Sequence, residues 1–247
     1  MKIFISDSYE SMCQKVLKDI LKITNFIKKP VLCTASGDTP AGLYKQLVSS
    51  VNEKNIDVSN WLYVSLDEWI DMNGMNEGSC RFHLDEQLFK PLNVPEERLS
   101  FFDGRAKDPI TECDKVEKFI QINGGIDIAI VGVGMNGHVG MNEPGTSQYL
   151  HAHVTKIDSQ TQAIGQKYFK QKQQLTEGIT LGLANIMEAQ NIYLMASGQH
   201  KAAIVKQVLE GEITDLIPSG LLRNHPALSI YLDKEAASLL QNVNVKK

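Results

Sequence analysis

The sequence predicts an α/β fold: one doubly wound, largely parallel sheet with helices on both faces, in a single domain spanning residues 1–247. Three observations carry this expectation. Short β-rich apolar runs alternate with helical patterns along nearly the whole chain. The runs are almost continuously hydrophobic, as strands covered on both faces are. No repeat, low-complexity tract or Pro/Gly/Ser linker interrupts the 247 residues, of which 43% are hydrophobic and can fill a substantial core.

In chain order the expected strands are KIFIS (2–6), PVLCTA (30–35), WLYVSLD (61–67), IDIAIVGVG (126–134), NIYLMAS (191–197) and ALSIYLD (227–233). Between the first two, Met12, Val16, Ile20, Ile23 and Ile27 recur at spacings of three and four, and Leu17 and Leu21 widen the stripe. That period predicts an amphipathic helix over Ser8 to Lys28. Similar patterns predict helices at about 40–53, 79–90, 109–122, 201–210 and 234–241. The arrangement is Rossmann-like. The polar, Gln- and Lys-rich segment at about 146–178 suits either a lid or a plain surface excursion.

A formal net charge of −4 argues against nucleic acid as the main partner, because such proteins usually display a basic face. A small anion can still be held by a few placed cations. No run approaches the roughly 18 apolar residues of a membrane span. The start, MKIFISDSYE, turns acidic within seven residues and so lacks the apolar stretch of a signal peptide. The expected location is cytoplasmic. The four cysteines, Cys13, Cys33, Cys80 and Cys113, have neither CxxC spacing nor a neighbouring His pair, so no zinc site or redox pair is expected.

In open α/β sheets ligands bind beyond the carboxyl ends of the strands, which directs attention to three loops. Ser36-Gly37-Asp38-Thr39-Pro40 opens a helix and combines a permissive glycine, two hydroxyls and unpaired N–H groups, which suits phosphate. A well-capped helix start would look the same, and Asp38 fits a cap pointing away better than an anion site. Asp67 and Glu68 end the WLYVSLD run; adjacent strand residues face opposite ways, so only one should reach a cleft and act as a base. The alternative is an acidic turn. The third loop, Gly132 to Gly145 (GVGMNGHVGMNEPG), contains a GxGxxG string, but past mid-chain and followed at once by a histidine. A dinucleotide site places that string at the first βα turn. The glycines instead suggest a tight backbone that brings Asn136, His138, Asn142 and Glu143 together for proton transfer.

Together SGDTP, LDEW and GVGMNGHVGMNEPG resemble the glucosamine-6-phosphate deaminase/isomerase family, in order and over nearly the whole chain, with Gly198 and Lys201 of a Gly-x-x-Lys segment and Asn224-His225-Pro226 before the last strand. The resemblance implies isomerising deamination of a 2-amino-2-deoxyhexose 6-phosphate, with a small-molecule substrate and neither a metal nor an organic cofactor. It also implies roles. Asp67 matches the base that moves a proton between C2 and C1, His138 the residue that assists ring opening, and Glu143 the carboxylate that tunes that histidine. Asn136 stands where many members have an aspartate; it can accept a hydrogen bond but carries no charge. Ser36, Gly37, Asp38 and Thr39 match the phosphate loop and Lys201 a phosphate-binding lysine, while Lys167 falls where some members have arginine. The basic residues that accompany allosteric control in some members are not seen around His153 to Thr155, so that regulation is not expected. A homo-oligomer is compatible with the sequence.

LDEW, GGIDIAIVGVG and TEGITLGLANI look most like galactosamine-6-phosphate isomerases or deaminases, which implies tagatose 6-phosphate as product. Two rival readings are weaker. A 6-phosphogluconolactonase would carry Gly-His-x-x-Ser-Leu-Phe-Pro, where this chain has Gly137-His138-Val139-Gly140-Met141-Asn142-Glu143-Pro144. A sugar-phosphate effector domain would have no use for a base, a histidine and a glutamate together.

Overall fold

The structure is a computed structural model, and residues 1–53 and 55–241 are described. In chain order its strands are β1 (Lys2–Ser6), β2 (Val31–Thr34), β3 (Leu62–Ser65), β4 (Asp67–Trp69), β5 (Leu99–Ser100), β6 (Ile128–Gly132), β7 (His153–Lys156), β8 (Glu177–Thr180), β9 (Asn191–Ala196) and β10 (Leu228–Asp233). The helices are α1 (Tyr9–Thr24), α2 (Asp38–Asn52), α3 (Cys80–Leu84), α4 (Pro109–Ile122), α5 (Ser159–Gly165), α6 (Leu183–Met187), α7 (Ala202–Glu210) and α8 (Pro218–Leu221). All six expected runs contain strands of one seven-stranded sheet, ordered β1-β10-β9-β6-β2-β3-β5 with every neighbour parallel.

Strand alternation explains why both faces are apolar. Val31, Cys33, Leu62, Val64, Ala129 and Val131 point to one face, where α4, α6, α7 and α8 cover them. Leu32, Tyr63, Ile128 and Ile130 point to the other, against Met12, Val16 and Ile20 of α1 and Leu43 and Leu47 of α2. The α1 stripe is therefore core, and Ser8 caps the helix by accepting from the Ser11 N–H.

The order reverses between β2 and β6: from β2 the chain winds outward through β3 to β5, and from β6 it winds the other way through β9 to β10, beyond which β1, the first strand of the chain, forms the edge. The carboxyl ends of β2 and β6 therefore part to leave a crevice at this switch point. The two glycine-containing loops of the sequence follow these two strands.

Two expectations are corrected. The WLYVSLD run is not one strand, because Leu66 divides it: its N–H donates to Thr34 O at 3.1 Å and its carbonyl accepts from Leu181 N at 2.8 Å. Beyond Leu66 the chain enters a second, antiparallel sheet, β4-β8-β7. Residues 146–178, a lid or a surface excursion by sequence, hold β7, α5 and a 3₁₀ turn, Gln166–Tyr168. Residues 234–239 form turns rather than a helix. There the Asp233 carboxylate accepts from Ala236 N at 2.8 Å and from Gly198 N at 3.1 and 3.0 Å, a competing set of bonds that anchors the turn to the loop after β9. The expected helix at 79–90 does form, but as α3 continued by a π-helical turn, Asp85–Phe89.

Candidate active site

The crevice is a cleft of about 780 Å³, and the loops after β2, β3, β6 and β9 converge on it. Ser36, Gly37, Asp38, Thr39, Asp67, His138, Lys167 and Lys201 all line it. Asn136 and Glu143 do not; they stand behind the histidine.

Of the two adjacent carboxylates, only Asp67 faces the cleft. Glu68 is buried and accepts from the backbone N–H groups of Trp69 (2.8 Å), Cys80 (3.0 Å) and Arg81 (2.9 Å). It thereby holds the start of α3 against β4. Burial pushes the Asp67 carboxyl up to about 6, opposed by a hydrogen bond from the Cys80 thiol and by the nearby His138. A carboxylate so poised can take a proton from a weak carbon acid near neutral pH.

His138 is held from one side. Its Nδ1 lies 2.8 Å from Asn136 Oδ1, which also accepts the His138 backbone N–H at 3.2 Å. The Asn136 amide donates from Nδ2 to Glu143 Oε2 at 2.7 Å, which fixes Oδ1 as the acceptor. Nδ1 therefore carries the proton and Nε2 is left for a ligand. Glu143 Oε2 is 3.6 Å from Nδ1, beyond a hydrogen bond. Burial alone would raise the Glu143 carboxyl, but His138, Asn136 and Thr161 hold it below the usual range. Asparagine here thus acts as a neutral bridge between histidine and carboxylate.

Gly134 lets this ring lie flat on the backbone: a Cβ there would sit 2.2 Å from His138 Cε1. Gly134→Ala should displace the imidazole and lower turnover about a hundredfold with the fold intact. Steady-state rates beside a thermal melt check this, and unchanged kcat would show that the ring position is not needed.

In the loop after β2, Gly37 adopts φ 97°, and no side chain caps α2. The Asp38 carboxylate does not cap the helix either; it pairs with Lys167 Nζ at 2.6 Å in an exposed contact. Tyr9 steadies the first turn by donating to Asp38 O at 2.8 Å and accepting from Gly42 N at 2.7 Å. Lys201, in the 3₁₀ turn after β9, donates Nζ to Val133 O at 2.7 Å. Burial, with Lys167 close by, pulls its amine down to about 8. A helix start with two cations beside it can receive a phosphate.

Sequence reasoning missed Cys80, His83, Thr161 and Tyr168, all of which line the cleft. Cys80 and His83 are three apart on α3, and such a pair shares a helix face; the His83 ring meets Tyr168 edge-on at 5.1 Å. Thr161 and Tyr168 come from the polar segment, whose composition holds no signal for them. Among the described residues, no group of three or more His, Cys, Asp or Glu side chains is placed to hold a metal ion, and no helix is long and apolar enough to cross a membrane.

A family model described as glucosamine-6-phosphate isomerases/6-phosphogluconolactonase matches residues 6–230. The chain belongs to that family. Within it, the chain is 36% identical over 248 residues to a glucosamine-6-phosphate deaminase of Thermoanaerobacter pseudethanolicus, covering 100% of this chain and 98% of that protein. A second glucosamine-6-phosphate deaminase, from Alkaliphilus oremlandii, is 35% identical over 97% of this chain and 100% of its own length. A solved structure described as a monomeric glucosamine-6-phosphate deaminase of the NagB superfamily superposes with a TM-score of 0.93 at 31% identity, covering 97% of this chain and 100% of the other. The family's architecture, a mostly parallel sheet flanked by helices, is the one seen here.

Proposed function

We propose that this protein is an amino sugar phosphate deaminase, converting a 2-amino-2-deoxyhexose 6-phosphate and water to a ketohexose 6-phosphate and ammonia. The observation that carries the reading is one cleft lined by Asp67, a one-sidedly held His138, the α2 start and Lys201. The family's relatives named as deaminases support it.

The geometry divides the work. The phosphate docks at Ser36 to Thr39 and Lys201 and does not react, but its anchoring orients C1 and C2 against the base, so its binding energy contributes to rate. His138 Nε2 takes and returns the proton that opens the sugar ring, while Asn136 and Glu143 stabilise the imidazolium. Asp67 removes the C2 proton to form an enol at C1 bearing the C2 amine, then delivers a proton to C1. The resulting C2 iminium takes up water, and the carbinolamine expels ammonia to leave the ketone. We assign residues 146–178 as a lid over this cleft, because α5 and the following turn supply part of its wall.

For the sugar, the relatives' names support glucosamine 6-phosphate going to fructose 6-phosphate. The local likeness of LDEW, GGIDIAIVGVG and TEGITLGLANI to galactosamine-6-phosphate proteins favours the C4 epimer as a second reading. A site that hydrogen-bonds the C4 hydroxyl in one orientation leaves buried groups unpaired with the other, so a preference of about tenfold or more in kcat/KM is expected. Initial rates on both pure substrates, with ammonia and ketose measured together, choose between them. Equal release of ammonia and ketose is expected; release of neither, with hydrolysis of 6-phosphogluconolactone instead, would overturn the deaminase reading.

A further inference from the structure

His138 and Glu143 are 3.6 Å apart, so the carboxylate reaches the imidazole only through intermediaries. Two side chains contact Nδ1. Asn136 belongs to the same loop as His138 and arrives with it. Thr161 arrives from elsewhere: it lies 23 residues on, in the third position of α5. Its Oγ1 is 3.1 Å from His138 Nδ1 and 3.5 Å from Asn136 Nδ2, it helps hold the Glu143 carboxyl below the usual range, and its side chain is buried. A hydroxyl so placed can accept a share of the Nδ1 proton and turn its own proton toward the carboxylate that it stabilises.

The support of Thr161 matters as much as its contacts. α5 has only seven residues, and its last, Gly165, packs so closely on Trp69 that a Cβ would fall 2.9 Å from Cζ2. The next turn places Lys167 on Asp38 and Tyr168 against Gly37, where a Cβ would be 3.0 Å from the phenol oxygen. One short piece of chain thus touches both the phosphate loop and the proton-transfer group.

We propose that Thr161 is a positioning residue: its hydroxyl, delivered by α5, completes the bridge from Glu143 to His138 and sets the imidazole only while that helix lies against the cleft. The inference rests on the deaminase reading for the reaction it serves, though not for the geometry it describes. It makes the histidine setting a property of two separate chain segments, so the proton-transfer group is complete only when the segment bearing Lys167 and Tyr168 is in place.

Thr161→Val keeps the branched shape and removes the hydroxyl; Thr161→Ser keeps the hydroxyl. In Thr161→Val, kcat should fall about ten- to a hundredfold with KM within about threefold of wild type, and Thr161→Ser should restore most of the loss. Asn136 keeps the Nδ1–H tautomer in all three proteins, but the imidazole ¹⁵Nδ1 resonance of the unliganded protein should be the same in wild type and Thr161→Ser and displaced in Thr161→Val. Wild-type kcat and ring spectrum in Thr161→Val would overturn the proposal, as would a loss of kcat that serine does not restore and that leaves the ring spectrum unchanged. A wild-type protein that releases no ammonia from either aminohexose 6-phosphate would instead overturn the deaminase reading. In that event the ring spectra, which need no substrate, still decide whether Thr161 sets the histidine.

Discussion

Asp67→Asn is expected to lower turnover about 10²- to 10⁴-fold while making the folded protein more stable at neutral pH. The two effects share one cause. Burial raises the Asp67 carboxyl from 3.8 to about 6, which means the fold prefers the protonated form. Its stabilising contribution is therefore full below pH 3.8 and is lost as pH rises through about 6. At pH 7 to 8 the protein carries an ionised, desolvated carboxylate that costs at most about 3 kcal/mol. Asparagine removes that cost together with the base. Thermal melts of the two proteins at pH 7.5 should show the variant melting higher, and substrate binding should survive. Incubating ketose phosphate and ammonia with each protein in heavy water tests the chemistry, because deuterium enters C1 through the base. Undiminished exchange in Asp67→Asn would rule Asp67 out. In wild type kcat/KM should fall below about pH 6 as the base becomes protonated.

Lys201→Ala is expected to weaken phosphorylated ligands by about 2–5 kcal/mol, the range for removing one member of a desolvated charge pair. Lys201 is suited to this because it is partly buried, tethered to Val133 O and aimed into the cleft, so little side-chain freedom is lost on binding. Its depressed amine sets the direction of the pH effect. With the amine pulled down to about 8, the lysine is cationic below that pH and loses charge above it, so phosphate affinity should fall as pH rises through 8. Lys167→Ala should have a smaller effect: that side chain is 52% exposed and already paired with Asp38. Calorimetric titration with a non-reacting amino-hexitol phosphate at pH 7 and pH 9 measures both. Equal affinity of wild type and Lys201→Ala at pH 7 would remove Lys201 from the phosphate site.

What was legible in the sequence follows from local physics. Parallel strands covered on both faces leave continuous apolar runs, and each of the six such runs contributes a strand to the central sheet. Residue alternation along a strand was enough to say that only one of Asp67 and Glu68 could reach a cleft. Glycine clusters after two strands marked loops that the fold brings together, because in this topology successive carboxyl ends share one edge. The weaker signals were those that depend on partners distant in the chain. β7 and β8 are short, HVTK and EGIT, and become strands because each finds a partner across the second sheet. The apolar spacing at 234–241 resembled a helix, but Asp233 binds the local backbone and the loop after β9 instead.

The sequence by itself determined six strands of the sheet, its doubly wound class and the loops from which Asp67 and His138 come, since hydrophobic period and glycine placement act over a few neighbouring residues; Lys201 was reached only through the family resemblance. Only the tertiary structure decided that Glu68 binds the first turn of α3, that Asn136 and Glu143 stand behind the histidine rather than in the cleft, and that Thr161 joins them. Those outcomes depend on which polar atoms burial brings within about 3 Å of one another, and a hydrogen bond between residues many positions apart leaves no periodic trace in the chain.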